Sequence, residues 1–320
     1  MPDPSPHSLS SLLKRLALDT GFTLAAISRA KPSAHPDAYH QWIADKKHGE
    51  MHYLATAIDH RLDISQKFPW ARSILSLALA YHQPTPPQDS SLKTQDSGKI
   101  ARYAWGRDYH KILEAKLRIL ERTLRTALPH TDIIARAYVD TGPLLERELA
   151  ANAGLGWIGK HTLLIHPTYG SFFLLGELVL NLDAEPDSPI PDHCGTCTRC
   201  IQACPTHAIT PYSVDATKCI SYLTLEHRSE IPEEFHAPMR DANFIAGCDI
   251  CQDVCPFNRK PLPASDPDLV PRAPAPQISL QQILDWQEQD WDIMTRGRAF
   301  RRAKHPMWQR TAKILADDPA

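Results

Sequence analysis

All eight cysteines of the 320-residue chain fall between positions 194 and 255. Cys194, Cys197, Cys200 and Cys204, in CGTCTRCIQACP, have the C-x2-C-x2-C-x3-C-P spacing of an iron–sulfur ligand run. Cys248, Cys251 and Cys255, in GCDICQDVCP, repeat its last three positions, and Cys219 stands alone between the runs. Eight thiolates suffice for two [4Fe-4S] clusters. In two-cluster ferredoxins the cysteine before proline ligates the other cluster, so the spacing predicts one cluster on Cys194, Cys197, Cys200 and Cys255. Ile245 occupies the place of the first cysteine in the second run. Cys219 fills that vacancy, which puts the other cluster on Cys204, Cys219, Cys248 and Cys251. Zinc sites and structural disulfides are the competing readings. Zinc rarely uses crossed C-x3-C-P runs, and disulfides need an oxidising compartment for which the sequence shows no address.

A second chemical corner lies upstream. TDIIARAYVD reads as a strand that delivers Asp140 at its C-terminal end, just before Thr141-Gly142-Pro143 and a helix through LLERELAANAG. Asp140 can serve there as an acid or as the helix N-cap. GLGWIG, residues 154–159, matches the dinucleotide fingerprint by letter. The match is rejected because a helix precedes it and a strand follows, the reverse of what pyrophosphate binding needs.

Other elements must position these residues. Leu9, Leu12, Leu13 and Leu16 predict a first helix, and Leu113, Leu117, Leu120, Leu124 and Leu128 a longer one on the surface of a core. FTLAAIS reads as a strand, WARSILSLALAY as a strand covered on both faces, and HTLLIHPTYGSFFLLGELVLNL as two strands joined near Pro167 to Gly170. QPTPPQDSSLKTQDSG reads as a polar loop or lid. After Cys255 the Pro-rich NRKPLPASDPDLVPRAPAPQ predicts an extended arm, SLQQILDWQEQDWDIM a capped helix, and RGRAFRRAKHPMWQRTAKIL a basic helical tail. With 35 basic and 37 acidic residues, any polyanion must be held by a local patch. The N-terminus lacks a signal peptide pattern and the apolar runs are too short for a membrane span, so the expectation is a cytoplasmic protein with no membrane partner. The length predicts two or three units, and about 185 residues before the cysteines are too many for a simple ferredoxin.

HGEMHYL, ARYAWGRDYHK, AYVDTGPLLERELAANAGLGWIGKHTLLI, GSFFLLGELVL, CGTCTRCIQACPTHAI, CISYLTLEHRSEIP and GCDICQDVCPFNR, in this order, closely resemble the epoxyqueuosine reductase family. The resemblance covers almost the whole chain. It implies an α+β fold: a nitroreductase-like α/β cobalamin-binding domain (1–185), a bacterial-ferredoxin-like two [4Fe-4S] domain (186–262), and an arm and basic helical tail (263–320). It also implies an oxidoreductase that reduces epoxyqueuosine to queuosine at the wobble position of tRNA. Electrons would pass from an external low-potential donor such as ferredoxin or flavodoxin through two clusters to cobalamin, in a monomer. The alternative class is an electron-transfer protein or a dehalogenase-like reductase of a small molecule.

On this resemblance Asp140 becomes the general acid that protonates the departing oxygen. Arg61, Tyr103, Gly156, Trp157 and Lys160, with Asp140, become candidate cobalamin contacts, against core packing or surface ion pairs. The motif that places a histidine on cobalt, D-x-H-x-x-G, is nearly present at Asp108-Tyr109-His110, but Leu113 replaces its glycine. Arg298, Arg301, Arg302 and Lys304, with Arg310, Lys313, Phe300 and Trp308 nearby, become candidates for phosphate contact and base stacking. A solvated amphipathic helix is the bland equivalent of that tail.

Overall fold

A computed structural model of the chain describes residues 5–84 and 96–317. The expected lid lies largely outside the described residues, and its last part, Ser97-Gly98, opens a strand instead. The architecture rests on strands β1 (Leu24–Arg29), β2 (Ser73–Ala80), β3 (Ser97–Ile100), β4 (Ala135–Tyr138), β5 (Phe173–Leu180), β6 (Phe244–Ala246) and β7 (Gln277–Ser279). The helices that matter to the site are α1 (Pro6–Asp19), α2 (Tyr109–Ala127), α3 (Glu146–Asn152) and α4 (His305–Ala316).

The main sheet runs β1-β2-β5-β4, antiparallel throughout. Every residue of β2 is buried, as its unbroken apolar run predicts. Strand alternation gives its two faces different partners. Leu75, Leu77 and Leu79 meet Leu113, Leu117, Leu120 and Leu124 of α2 and Leu13 of α1 in one core. Each of these leucines is fully buried, and each such side chain stabilises the fold by roughly 1.5–3 kcal/mol. The opposite face is lined by small residues, Ala26 and Ala78, against Ala150 and Ala153 at the end of α3. That lets α3 lie close to the sheet, bringing Glu146 to the end of β4.

A second sheet, β6-β3-β7, takes one strand from each of the three expected segments. β6 pairs with β3 in parallel and β7 pairs with it antiparallel. The Pro-rich arm therefore ends in a strand rather than only wrapping the surface. The helix expected over SLQQILDWQEQDWDIM breaks at Trp286 into Leu280–Asp285 and Glu288–Thr295. The basic tail is a short 3-10 turn, Ala299–Arg302, followed by α4 with Pro306 in its first turn. Phe300 and Trp308, expected to face bases, are instead buried with Tyr222, Leu223, Ile283 and Trp286. Their amphipathic spacing marks a core-facing stripe. Among the described residues no helix is long and apolar enough to cross a membrane.

Candidate functional site

β4 stops at Tyr138, and the chain reverses through residues 139–145 before α3. Asp140 sits in that turn with φ +56°, a left-handed conformation that Asp tolerates better than most residues. Its amide donates to Glu146 Oε1 at 2.6 Å. Arg61 Nη1 donates to the Gly142 carbonyl at 3.2 Å and Nη2 to the Tyr53 carbonyl. Gly142 must be glycine because a Cβ there would collide with the Tyr138 ring. The N-cap position of α3 belongs to Leu145, with no side-chain cap bond. Asp140 is therefore not a helix cap.

The carboxylate of Asp140 meets a ring. His110 Nε2 lies 3.2 Å from Asp140 Oδ2, and His110 Nδ1 lies 2.7 Å from Asp108 Oδ1. The His110 hydrogen bond pulls the Asp140 carboxyl below its ordinary range, against the opposing effect of burial. Burial works against a charged His110, but the hydrogen bonds to Asp108 and Asp140 outweigh it and hold the imidazole up at about 9. Glu146 goes the other way: burial, then the charge on Asp140, push it up to about 7. Asp140's side chain is 60% exposed and Arg147 is also exposed, yet desolvation acts on both. Groups that solvent reaches while protein surrounds them line a cleft. The charge of Asp140 extends across it to Tyr53, Tyr103, Tyr109 and Arg302.

The cysteines gather in two groups by their effect on one another's ionisation. Burial raises the Cys255 thiol against a backbone hydrogen bond at Phe257, and its thiol neighbours Cys194, Cys200 and Cys197 raise it further. Burial likewise raises Cys248, with Cys219 and Cys204 as its thiol neighbours. Cys251 is raised by burial, Cys248 and Cys219, and also feels Cys200, so the groups adjoin. Four thiols per group is the donor set a [4Fe-4S] cube requires. A single zinc ion would bring its sulfurs to roughly 3.8 Å from one another; among the described residues no three His, Cys, Asp or Glu are gathered to hold one ion. Gly247, beside Cys248, packs against Ala101 and Tyr103. Tyr103 thus stands between the second thiol group and the Asp140 cleft.

The other expected contacts divide. Arg61 and Tyr103 border the cleft, and Arg61 Nε is buried without a partner among the described residues. An unpaired donor at the wall of a cleft fits a ligand rich in amide oxygens, as cobalamin is. Gly156 admits the Ile165 carbonyl, with which a Cβ would collide. Trp157 and Lys160 face the first cysteine run instead. Trp157 packs with Ile165, Cys255, Cys194 and Phe257, its indole N–H turned toward Cys194 but out of reach of any acceptor among the described residues. Lys160 Nζ donates to the carbonyls of Gly195 at 2.6 Å and Cys197 at 3.1 Å.

In the tail, Arg298 is 8% exposed and donates to the carbonyls of Trp105, Gly106 and Ala273. The expectation that it takes phosphate is corrected: it braces the arm. Arg310 does the same for the carbonyls of Leu223, His227 and Ser229. Arg301 pairs with Asp292 and Lys304 is exposed near Trp291. Arg302 forks onto both oxygens of Glu226 and lies over the Tyr53 ring, 5.5 Å from its centroid. Tyr53 is 46% exposed, so this stack forms part of the cleft rim.

Sequence reasoning passed over Glu146, Arg147 and the Asp140 side of His110. The Asp-x-His turn was legible as a local pair, but a partner 30 residues away carries no local signal.

A family model described as "Epoxyqueuosine reductase QueG, DUF1730" matches residues 61–141, and one described as "4Fe-4S double cluster binding domain" matches residues 193–258. The chain is 40% identical over 318 residues to the epoxyqueuosine reductase of Synechococcus sp. (strain CC9605), covering 97% of this chain and 95% of that one. It is 37% identical over 309 residues to that of Escherichia coli (strain K12), covering 96% and 80%. Among solved structures it matches an epoxyqueuosine reductase with an epoxyqueuosine-modified tRNA-Tyr stem loop (TM-score 0.85, 31% identity, 96% of this chain and 80% of that). It also matches the Bacillus subtilis enzyme with its aspartate catalytic loop swung out of the active site (TM-score 0.85, 30% identity, 96% and 81%).

Proposed function

The chain belongs to the epoxyqueuosine reductase family, and from that membership we propose that it reduces epoxyqueuosine to queuosine at the wobble position of tRNA, with Asp140 as proton donor. The reaction takes two electrons and two protons, turns the epoxide into an alkene and releases its oxygen as water. Two [4Fe-4S] clusters and a cobalamin, when bound, supply the electrons at the epoxide carbons, drawn from an external low-potential donor such as ferredoxin or flavodoxin. One cluster would be held by Cys194, Cys197, Cys200 and Cys255, the other by Cys204, Cys219, Cys248 and Cys251. Arg61, Tyr103 and Gly156 would face the cobalamin, while Trp157 and Lys160 set the first cysteine run. The enzyme works as a monomer in the cytoplasm, where tRNA is.

The observation that carries the reading is Asp140 itself: an accessible carboxylate just past the end of β4, hydrogen-bonded to His110, in a left-handed turn held by Glu146. A relative is described with an aspartate on its catalytic loop, which supports the same role here. A relative also carries a modified tRNA stem loop, which supports the substrate. For the RNA, Arg302 with Tyr53 at the cleft rim and the neighbouring Arg301 and Lys304 offer cations and one stacking surface.

The test is Asp140→Asn. Asn keeps the size and the turn conformation but cannot donate a carboxylic proton, so single-turnover reduction of an epoxyqueuosine stem loop should slow by about 10²–10⁴-fold. Iron content and cobalamin absorbance should match the parent. Near-parental turnover would remove Asp140 from the mechanism.

A further inference from the structure

Water is released carrying two protons, and one carboxylic acid holds one. The acid also has a difficulty of its own. A carboxylate hydrogen-bonded to a cationic ring is ionised at neutral pH, so Asp140 beside His110 would have nothing to give. The structure answers both points with a chain of hydrogen bonds: Asp108 Oδ1 to His110 Nδ1 at 2.7 Å, and His110 Nε2 to Asp140 Oδ2 at 3.2 Å. The ring is fixed. Asp108 caps α2 by accepting the His110 amide at 3.1 Å, and Tyr109 stacks on the imidazole with centroids 4.1 Å apart. A cation in the first turn of a helix is disfavoured by the helix dipole, so the two flanking carboxylates are what permit a charged ring here.

Building on the Asp140 reading above, we propose that Asp108, His110 and Asp140 form a proton relay in which His110 is the positioning residue that keeps the acid loaded. The His110 Nε2–H bond breaks as an O–H bond forms on Asp140, and Asp140 passes that proton to the departing oxygen and is left a carboxylate again. Neutral imidazole remains, its Nδ1–H held by Asp108, and solvent returns a proton to Nε2. Both protons of the water thus leave through Asp140, and no further reductant is involved. The charged and titratable groups facing the relay are Asp108, Lys111, Tyr103, Tyr109, Glu146 and Arg147. Burial opposes the charge on His110, and the hydrogen bonds to Asp108 and Asp140 overcome it and hold the ring at about 9, so the relay is loaded through neutral pH and empties above it.

His110→Gln separates relay from scaffold, because the glutamine amide can still donate to Asp140 but cannot titrate. Holoenzyme of the parent, His110→Gln and Asp140→Asn is followed in single-turnover reduction of the stem loop from pH 6 to 10. The parent should be flat through neutral pH and fall above about 9. In His110→Gln, Asp140 returns to an ordinary carboxyl, so the rate at pH 7 should drop about 10²–10³-fold and fall about tenfold per pH unit where the parent is flat. The second readout is the ¹⁵N titration of labelled histidine in the holoenzyme, with His110 identified as the signal lost in His110→Gln. It should titrate near 9 in the parent and lower in Asp140→Asn. A His110→Gln enzyme that is fast, or slow with a flat profile, overturns the relay while leaving the acid in place. So does a parental His110 that titrates at the ordinary value. An active Asp140→Asn enzyme removes acid and relay together.

Discussion

Glu146→Ala tests what keeps Asp140 in the cleft. The left-handed turn at Asp140 costs roughly 1–2 kcal/mol, and the bond from its amide to a carboxylate oxygen offsets this with roughly 1.5–3 kcal/mol. Without the acceptor only the strain remains, and the latched turn falls from the dominant state to a fraction of about 0.15–0.03. Single-turnover reduction should therefore slow about 6- to 30-fold in Glu146→Ala. Glu146→Gln keeps an acceptor oxygen and should stay within about threefold of the parent. Both variants also part from the parent in the pH dependence of stability. Burial and Asp140 raise the Glu146 carboxyl to about 7 when folded, above its unfolded value of about 4.3. Its ionisation therefore opposes folding: the stability is full below about pH 4 and is lost as pH climbs toward 7. Neither Glu146→Gln nor Glu146→Ala can ionise, so neither should lose stability across that window, as read by denaturant midpoints. Parental turnover in Glu146→Ala, or equal slowing in both variants, would refute the latch.

Further outcomes follow from the cysteines and the tail. Cys219→Ala should lower iron from about eight toward about four per chain and spare the cluster assigned to Cys194, Cys197, Cys200 and Cys255; retention of both clusters by EPR would undo the crossed assignment. Arg298→Ala leaves three carbonyls without their donor and should cost about 2–4 kcal/mol in denaturant unfolding, whereas Lys304→Ala, on the surface, should change it by no more than about 0.5 kcal/mol. Arg302→Ala should weaken stem-loop binding and reduce its salt slope by about 1, with cofactor content unchanged.

The elements most legible in the sequence were those whose signal is local. The leucine spacing of α2 and the unbroken apolar run of β2 each point to one structure, because burial on one stripe or on two faces leaves a period in the chain. The cysteine spacing is local in the same sense, since the ligand run is read within a few turns of chain. What escaped was decided at a distance. The basic tail has cations and aromatics in alternation, which reads equally as an RNA surface or as a packed helix; only the cover provided by Tyr222 and Ile283 shows that Phe300 and Trp308 face inward. Arg298 looks like its neighbours until the Trp105 and Gly106 carbonyls arrive from nearly 200 positions earlier. Likewise Asp140 is visible as a strand-end acid, but the ring that sets its charge comes from the start of another helix.

The sheet in which β3 lies between β6 and β7 sets an order of events during synthesis. β3 pairs with a strand about 180 residues further along, and at ~5–20 residues per second the ribosome needs roughly 9–36 s to deliver it. All eight cysteines are made within that interval. One edge of β3 thus stays open while all eight thiols are made, and it closes only after the last of them has emerged.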